Sequence, residues 1–253
     1  ELTGRISPRR LVRAAAVDAA GRPVNAYPLV HPISGLRPRV PWAVHLTDRA
    51  GHFRLLCADL DAKPSPTAAA LDADRLSGLL TELAVPHLVC ESGPTGGRHV
   101  WVALAEPIPA DLVGVLARLL KGWLPTLDTA PLLNPATGCV RPPGAPHRLG
   151  GASRPLAGTL AALTTPSVTA GQVRALIGRL AAHHLQATAT QPAWAVRRPI
   201  AVADGSPYLP GPRRALSPTC RALLEDAPAG DLSAVLWRIL CGAAAAHWRY
   251  PDV

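Results

Sequence analysis

The chain has 253 residues, 48% of them apolar, which is enough for one large domain or a domain with a small appendage. It carries 26 basic against 17 acidic residues, a net charge of +9, a balance that favours a polyanionic partner. The sequence ELTGRISPRR at the start lacks an apolar signal segment, and nowhere is there the run of about 18 uncharged apolar residues that a membrane span needs, so a cytoplasmic protein without membrane contact is expected.

Residues 8–20 read as a short helix, and the Pro-rich stretch 22–41 as a wrapping loop. WAVHL (42–46), the turn TDRAGH (47–52) and FRLLCADLDA (53–62) read as a β-hairpin. On its second strand Phe53, Leu55, Cys57, Asp59 and Asp61 share a face, so apolar members anchor a strand that ends in two carboxylates. SPTAAALDADRLSGLLTELA (65–84) predicts a helix with Ser65 as N-cap and Leu71, Leu76, Leu79, Leu80 and Leu83 as its apolar stripe. HLVCES (87–92) and RHVWVAL (98–104) read as paired strands around a Gly-rich turn, and 110–124 as a helix. The Pro- and Gly-laden stretch 128–156 reads as irregular. A helix over 170–185 is capped by Thr169. Residues 186–216 hold five prolines and the pairs Arg197-Arg198 and Arg213-Arg214, the pattern of a linker or basic arm, and 217–253 returns to helical periodicity. The end, WRYPDV, is compatible with a longer native protein.

Five cysteines, Cys57, Cys90, Cys139, Cys220 and Cys241, stand far apart with no CxxC pair. Neither a disulfide framework nor a zinc site is expected from that spacing. Of the 26 basic residues only Lys63 and Lys121 are lysines, and arginine makes the bidentate phosphate contacts that lysine cannot.

Three stretches carry chemistry. Asp59 and Asp61 place two carboxylates on one strand face, a donor set suited to Mg²⁺ or Mn²⁺, although an isolated D-x-D is also an ordinary solvated strand end. In ESGPTGGRHVWV, the small residues Gly93, Gly96 and Gly97 let backbone N–H groups approach a phosphate. Ser92 and Thr95 add hydroxyls there, and Arg98 and His99 follow at the start of a strand. This is no P-loop, because Arg-His stands where Lys-Ser/Thr is required and a strand follows. In DTAPLLNPATGCVRPPGAPHRLGG, Asp128 follows a helix and Asn134, Arg141, His147 and Arg148 sit in a stiff Pro/Gly frame, read either as a phosphate-binding loop or as a structural Ω-loop.

Together and in this order the three stretches resemble the archaeo-eukaryotic primase superfamily, specifically the bifunctional primase-polymerases of bacterial plasmids, phages and integrated elements, of actinobacterial type. The matching residues are Asp59 and Asp61; SGPTGGRH with His99; Asp128; and the loop formed by Asn134, Gly138, Arg141, Pro142, Pro143, Gly144, His147, Arg148, Gly150 and Gly151. The resemblance covers roughly residues 40–155. One departure is Gly97, where many members carry Ser two before the His.

The resemblance implies an α+β fold: an antiparallel palm of the RNA-recognition-motif type backed by helices, with an N-terminal α/β module. The division expected is a catalytic domain over 1–187, a linker or arm over 188–216 and a helical accessory region over 217–253. The implied activity is template-directed nucleotidyl transfer that makes or extends primers on single-stranded DNA, with Asp59, Asp61 and Asp128 as catalytic residues holding two Mg²⁺ or Mn²⁺ ions. Ser92, Gly93, Thr95, Gly96, Gly97, Arg98, His99, Arg141, His147 and Arg148 are assigned to the incoming NTP or dNTP. Asn134, Arg197, Arg198, Arg213 and Arg214 are candidates for template or primer contact, and a helicase domain or protein is a candidate partner. Two readings stand beside this one, a non-catalytic nucleic-acid-binding domain of the same fold and an end-joining-type polymerase, whereas a metal-dependent nuclease shares the acids but leaves the triphosphate-type loop unexplained. A rolling-circle initiator would need a His-hydrophobe-His site and a nucleophilic Tyr, whereas His183 and His184 are adjacent and Tyr27, Tyr208 and Tyr250 lack a supporting motif.

Overall fold

The computed structural model describes residues 1–33, 38–189, 201–203, 206–208, 211–225 and 232–248. The chain divides into two compact units, Glu1–Thr188 and Ala189–Val253.

The first unit opens with α1 (Leu2–Ile6), β1 (Leu11–Ala14), β2 (Leu29–Pro32) and β3 (Trp42–His45). Residues 8–20 therefore form no helix. Their Ala-rich composition suggested one, but Leu11–Ala14 alternates between half-buried and buried, the period of a strand. β2 likewise replaces part of the expected loop over 22–41.

β4 (Phe53–Leu60), α2 (Pro66–Glu82), β5 (Leu88–Glu91), β6 (Arg98–Ile108), α3 (Ala110–Trp123) and β7 (Leu127–Asp128) follow in the order βαββαβ. Their strands lie β7-β4-β6-β5, every neighbouring pair antiparallel. That is the split βαβ palm, with α2 and α3 packed on the sheet. The Ser65 hydroxyl accepts from the Ala68 amide at 3.4 Å and caps α2. The stripe of α2 differs from the expected one at its start: Leu71 is 54% exposed and Asp72 beside it is buried.

The stretch 128–156 is more ordered than its prolines suggested. It supplies α4 (Ala130–Leu133), β8 (Cys139–Val140) and the start of β9 (Arg154–Gly158). β8 completes the first sheet, order β2-β1-β3-β8, and β9 extends the palm beside β5. The expected hairpin of β3 with β4 forms at its turn end, where Thr47 bridges Phe53 and the Leu46 carbonyl accepts the amides of Arg54 and Leu55. Asp48 Oδ1 accepts the amides of Ala50 and His52, but the strands then part, β3 pairing β1 and β8 while β4 pairs β6 and β7. One apolar core, including Val44, Phe53, Leu60, Trp101 and Leu127, runs under both sheets. Cys57 and Cys90 are fully buried within it. After α5 (Ala161–Thr164), α6 (Ala170–Ala189) begins at a reciprocal capping box in which the Gln172 amide donates to Thr169 Oγ1 and the Thr169 amide to Gln172 Oε1.

The second unit holds β10 (Ala201–Ala203) paired with β11 (Ser206–Tyr208), then α7 (Pro218–Glu225) and α8 (Leu232–Ala245). Leu216, Cys220, Ala243 and Ala246 form its small core. No helix among the described residues is long and apolar enough to cross a membrane.

Candidate active site

Three strands of the palm bring the first acids together. In the antiparallel register Asp59 on β4 lies opposite Asp128 on β7 and opposite His99 on β6. Opposed residues project from the same face of a sheet, so a motif spread over 70 residues of sequence becomes one row across three strands. His99 is 1% exposed, its Nε2 stands 3.3 Å from Asp59 Oδ1, and its ring meets Trp101 edge-on. Burial alone would raise the Asp59 pKa; the adjoining His99, and more distantly Arg141 and Lys63, outweigh it and hold the carboxyl below its ordinary range. Asp128 Oδ1 accepts the Ala130 amide at 2.9 Å, which fixes the start of α4. Asp61 follows the end of β4, with its backbone N–H donating to the Thr126 carbonyl at 2.9 Å. Its carboxylate faces Lys63 Nζ at 3.6 Å on open surface, so that pair contributes little.

A cleft of about 590 Å³ opens over this row. Asp59, Asp61, Asp128, Ser92, Thr95, Gly97 and His99 line the palm side; Ala43 of β3, Cys139 and Val140 of β8, Arg141, His147 and Arg148 line the other, with Asn134 between. The Ser92–Gly97 turn is closed by the Ser92 amide on the Gly97 carbonyl. A Cβ on Gly97 would lie 2.6 Å from Ser92 Oγ, so a side chain here would have to displace the Ser92 hydroxyl. Arg141 Nη1 donates to the Ser92 carbonyl at 2.7 Å and ties the loop to the turn. The Asn134 side chain bonds Thr137 through its amide nitrogen at 2.8 Å and its carbonyl oxygen at 2.9 Å, stapling the turn before β8. Burial, with the cations Arg141 and Arg148 and with His99, pushes the His147 pKa down to about 4. His147 is thus neutral, and because Nδ1 accepts from the Leu149 amide, its proton sits on Nε2.

Three of the expected nucleotide-binding residues do not line the cleft. Arg98 does not line the cleft; its guanidinium bonds the carbonyls of Gly96 at 2.7 Å and Gly97 at 3.2 Å and stands 3.9 Å from Glu91. Gly93 and Gly96 shape the turn without lining the cleft. Arg213 stacks on Trp248, and the Arg214 backbone bonds Ala246 and Trp248, all within the second unit. Arg197 and Arg198 fall outside the described residues. Two lining residues had no sequence signal: Asn25 and Tyr27, on the return limb of the β1–β2 hairpin. Arg13 Nε donates to the Tyr27 carbonyl and holds it there. Burial raises the Tyr27 pKa despite the nearby Arg141.

Among the described residues no three Asp, Glu, His or Cys side chains form a metal cage. The donor set nonetheless fits a divalent cation shared with a substrate. Asp59 and Asp128 oppose one another as like charges, an arrangement that disfavours itself. Mg²⁺ is ordinarily held by one or two carboxylates together with substrate phosphates.

No protein-family model matches the chain, and neither does any curated protein. Solved structures do. Primase RepB′ is 17% identical, with 75% of this chain and 63% of that one covered and a TM-score of 0.46. The primase-polymerase AEP domain of cyanophage S-2L is 15% identical, covering 69% and 94%, with a TM-score of 0.47. The polymerase domain of Mycobacterium tuberculosis ligase D, solved in complex with DNA, is 15% identical, covering 76% and 88%, with a TM-score of 0.44. The chain thus spans less than two thirds of RepB′.

Proposed function

We propose that this chain is a template-directed nucleotidyltransferase, a primase-polymerase that makes or extends primers on single-stranded DNA. The observation that carries the reading is the row Asp128–Asp59–His99 in strand register at the floor of a cleft whose facing wall bears Arg141, His147 and Arg148. Anionic donors on one wall and cationic donors on the other suit a triphosphate bound through a metal. A nuclease shares the acids but has no use for the clamp.

Within this reading Asp59 and Asp128, with Asp61 beside them, hold Mg²⁺ or Mn²⁺. When bound, the metal supplies a lowered pKa for a primer 3′-hydroxyl and neutralises charge on the departing pyrophosphate. The chain's own groups do the remainder. His99 holds the Asp59 carboxylate in place and ionised. Arg141 and Arg148 offset phosphate charge, and Arg141 does so with its geometry fixed by the Ser92 carbonyl. His147 presents a neutral N–H, and Ser92 and Thr95 present hydroxyls. Arg98 stiffens the turn from behind. Tyr27 and Asn25 complete the wall of the cleft. The net charge of +9 suits a nucleic-acid strand.

The test is synthesis on single-stranded DNA with NTPs or dNTPs and Mn²⁺, with and without a primer. Product is expected, and Asp59→Ala with Asp61→Ala is expected to lower it by about 100-fold or more. No product from folded protein overturns the enzyme reading in favour of a binding domain. Product undiminished in the double variant overturns the site. Product without primer distinguishes a primase from an extending or end-joining polymerase.

A further inference from the structure

Asp72 sits on α2, outside the cleft, and is 3% exposed. A carboxylate that deep must be hydrogen-bonded to be tolerated. Its Oδ2 accepts both the backbone N–H of Thr126 at 3.0 Å and the Thr126 hydroxyl at 2.7 Å, while Oδ1 stands 3.5 Å from Arg75 Nη1. Thr126 is itself 4% exposed. None of the cleft chemistry above uses Asp72, so its role must lie in what it holds.

Thr126 connects to two of the three acids. Its carbonyl accepts the Asp61 amide at 2.9 Å, and two residues further along the chain is Asp128. The strand carrying Asp128, β7, is only Leu127–Asp128, an edge strand with two register pairs to β4. So short a ladder is weak on its own. It is fixed from outside the sheet by Asp72 on Thr126 and by Lys121 Nζ on the carbonyls of Pro125 at 3.0 Å and Leu127 at 2.7 Å.

We propose that Asp72 is a positioning residue: through Thr126 it sets the spacing between Asp61 and Asp128, and thereby the affinity of the cleft for a divalent cation. This rests on the metal-dependent reading of the site. Asp72→Ala leaves the Thr126 N–H without its acceptor and frees β7 to shift against β4. Asp72→Asn can keep both bonds, because a single oxygen receives them, and it gives up only the ion pair with Arg75. Thr126→Val removes one bond and keeps the other.

The experiment is Mn²⁺ binding to the full chain, first alone and then with a non-hydrolysable nucleoside triphosphate whose own Mn²⁺ binding is subtracted, followed by the spin-resonance signal of free Mn²⁺, with thermal melting of each variant alongside. Asp72→Ala is expected to weaken Mn²⁺ binding by about 10-fold or more, the scale seen when groups that orient metal ligands are lost. Thr126→Val should move it in the same direction by less. Asp72→Asn should stay within about threefold, since it keeps both bonds to Thr126 in place, though at roughly half the strength of charge-assisted ones. Folded Asp72→Ala that binds Mn²⁺ like the unaltered chain overturns the inference and leaves the proposed function standing. If Asp72→Ala does not fold, Thr126→Val decides: unchanged binding overturns the inference and weaker binding supports it. No Mn²⁺ binding by the unaltered chain in either condition overturns the proposed metal-dependent function, and the inference falls with it.

Discussion

Gly93 and His147 stand far apart in sequence yet share one position: a Cβ on Gly93 would lie 2.6 Å from the His147 ring. The turn and the loop therefore interlock, with the Arg141 bond to the Ser92 carbonyl beside the contact. Gly93→Ala must displace the imidazole, at a cost of about 1–3 kcal/mol for an overpacked contact. The expected outcome is a folded protein with a several-fold higher KM for nucleotide and a smaller change in kcat, read by steady-state primer extension. An unchanged KM would mean that the ring can move without consequence for the bound triphosphate. At this scale the sequence was informative where chemistry and spacing coincide. Asp59, His99 and Asp128 each sit in a local motif, and the strand register aligns all three. Arg98 shows where a motif misleads. It adjoins His99 on a strand, so alternation sends it to the opposite face, where it binds the turn carbonyls. Tyr27 was not legible, because its place in the cleft depends on a hairpin that no local pattern announces.

Among the elements, the segment 8–14 departs most from its pattern. An Arg/Ala-rich stretch favours a helix by intrinsic propensity, yet tertiary pairing makes Leu11–Ala14 a central strand of the first sheet. Arg9, just before it, explains part of the outcome. Its guanidinium donates to the Thr47 carbonyl at 3.0 Å, the Ala136 carbonyl at 2.9 Å, the Pro135 carbonyl at 2.8 Å and the Thr47 hydroxyl. These bonds join the start of β1, the end of β3 and the turn stapled by Asn134, which is a wall of the cleft. Arg9→Ala leaves those carbonyls without the donor, and the expected loss is about 2 kcal/mol in urea unfolding, the usual scale for bonds to a charged group that is partly buried. Arg9→Lys should recover only a small part, since one ammonium cannot reproduce the fork. Full recovery by Lys would show that charge, and not the fork geometry, ties the turn down. The helices opened by side-chain caps, α2 and α6, were legible because local signals suffice for them. β8 was not, because it is a two-residue strand that exists only by pairing with β3 nearly a hundred residues earlier.

For the molecule as a whole, the meeting of two sheets creates a dependence on pH. His45 on β3 is 3% exposed, lies opposite Cys139 in register and has no hydrogen-bond partner for Nδ1. Burial, with Arg9 and Arg13 nearby, lowers its pKa to about 4, the same direction and value as for His147. In the unfolded chain both imidazoles take up a proton as pH falls through their ordinary value of 6.5, while in the folded chain they wait until about 4. The unfolded state binds more protons across that window, so folding stability is fully present above about pH 6.5 and declines as pH falls towards 4. Asp59 acts with the same sign but lower, because its depressed pKa matters only once the pH approaches the ordinary 3.8 of a free carboxyl. His45→Leu separates these contributions. It removes one titrating group together with an unpaired buried nitrogen, a change that costs little or even stabilises. The thermal midpoint of the unaltered chain is expected to fall from pH 7 to pH 5, and that of His45→Leu to fall distinctly less, with the remaining slope carried by His147. Equal slopes would place the charge sensitivity elsewhere. A variant that melts earlier at every pH with the same slope would show that the imidazole serves packing and that its charge state is irrelevant.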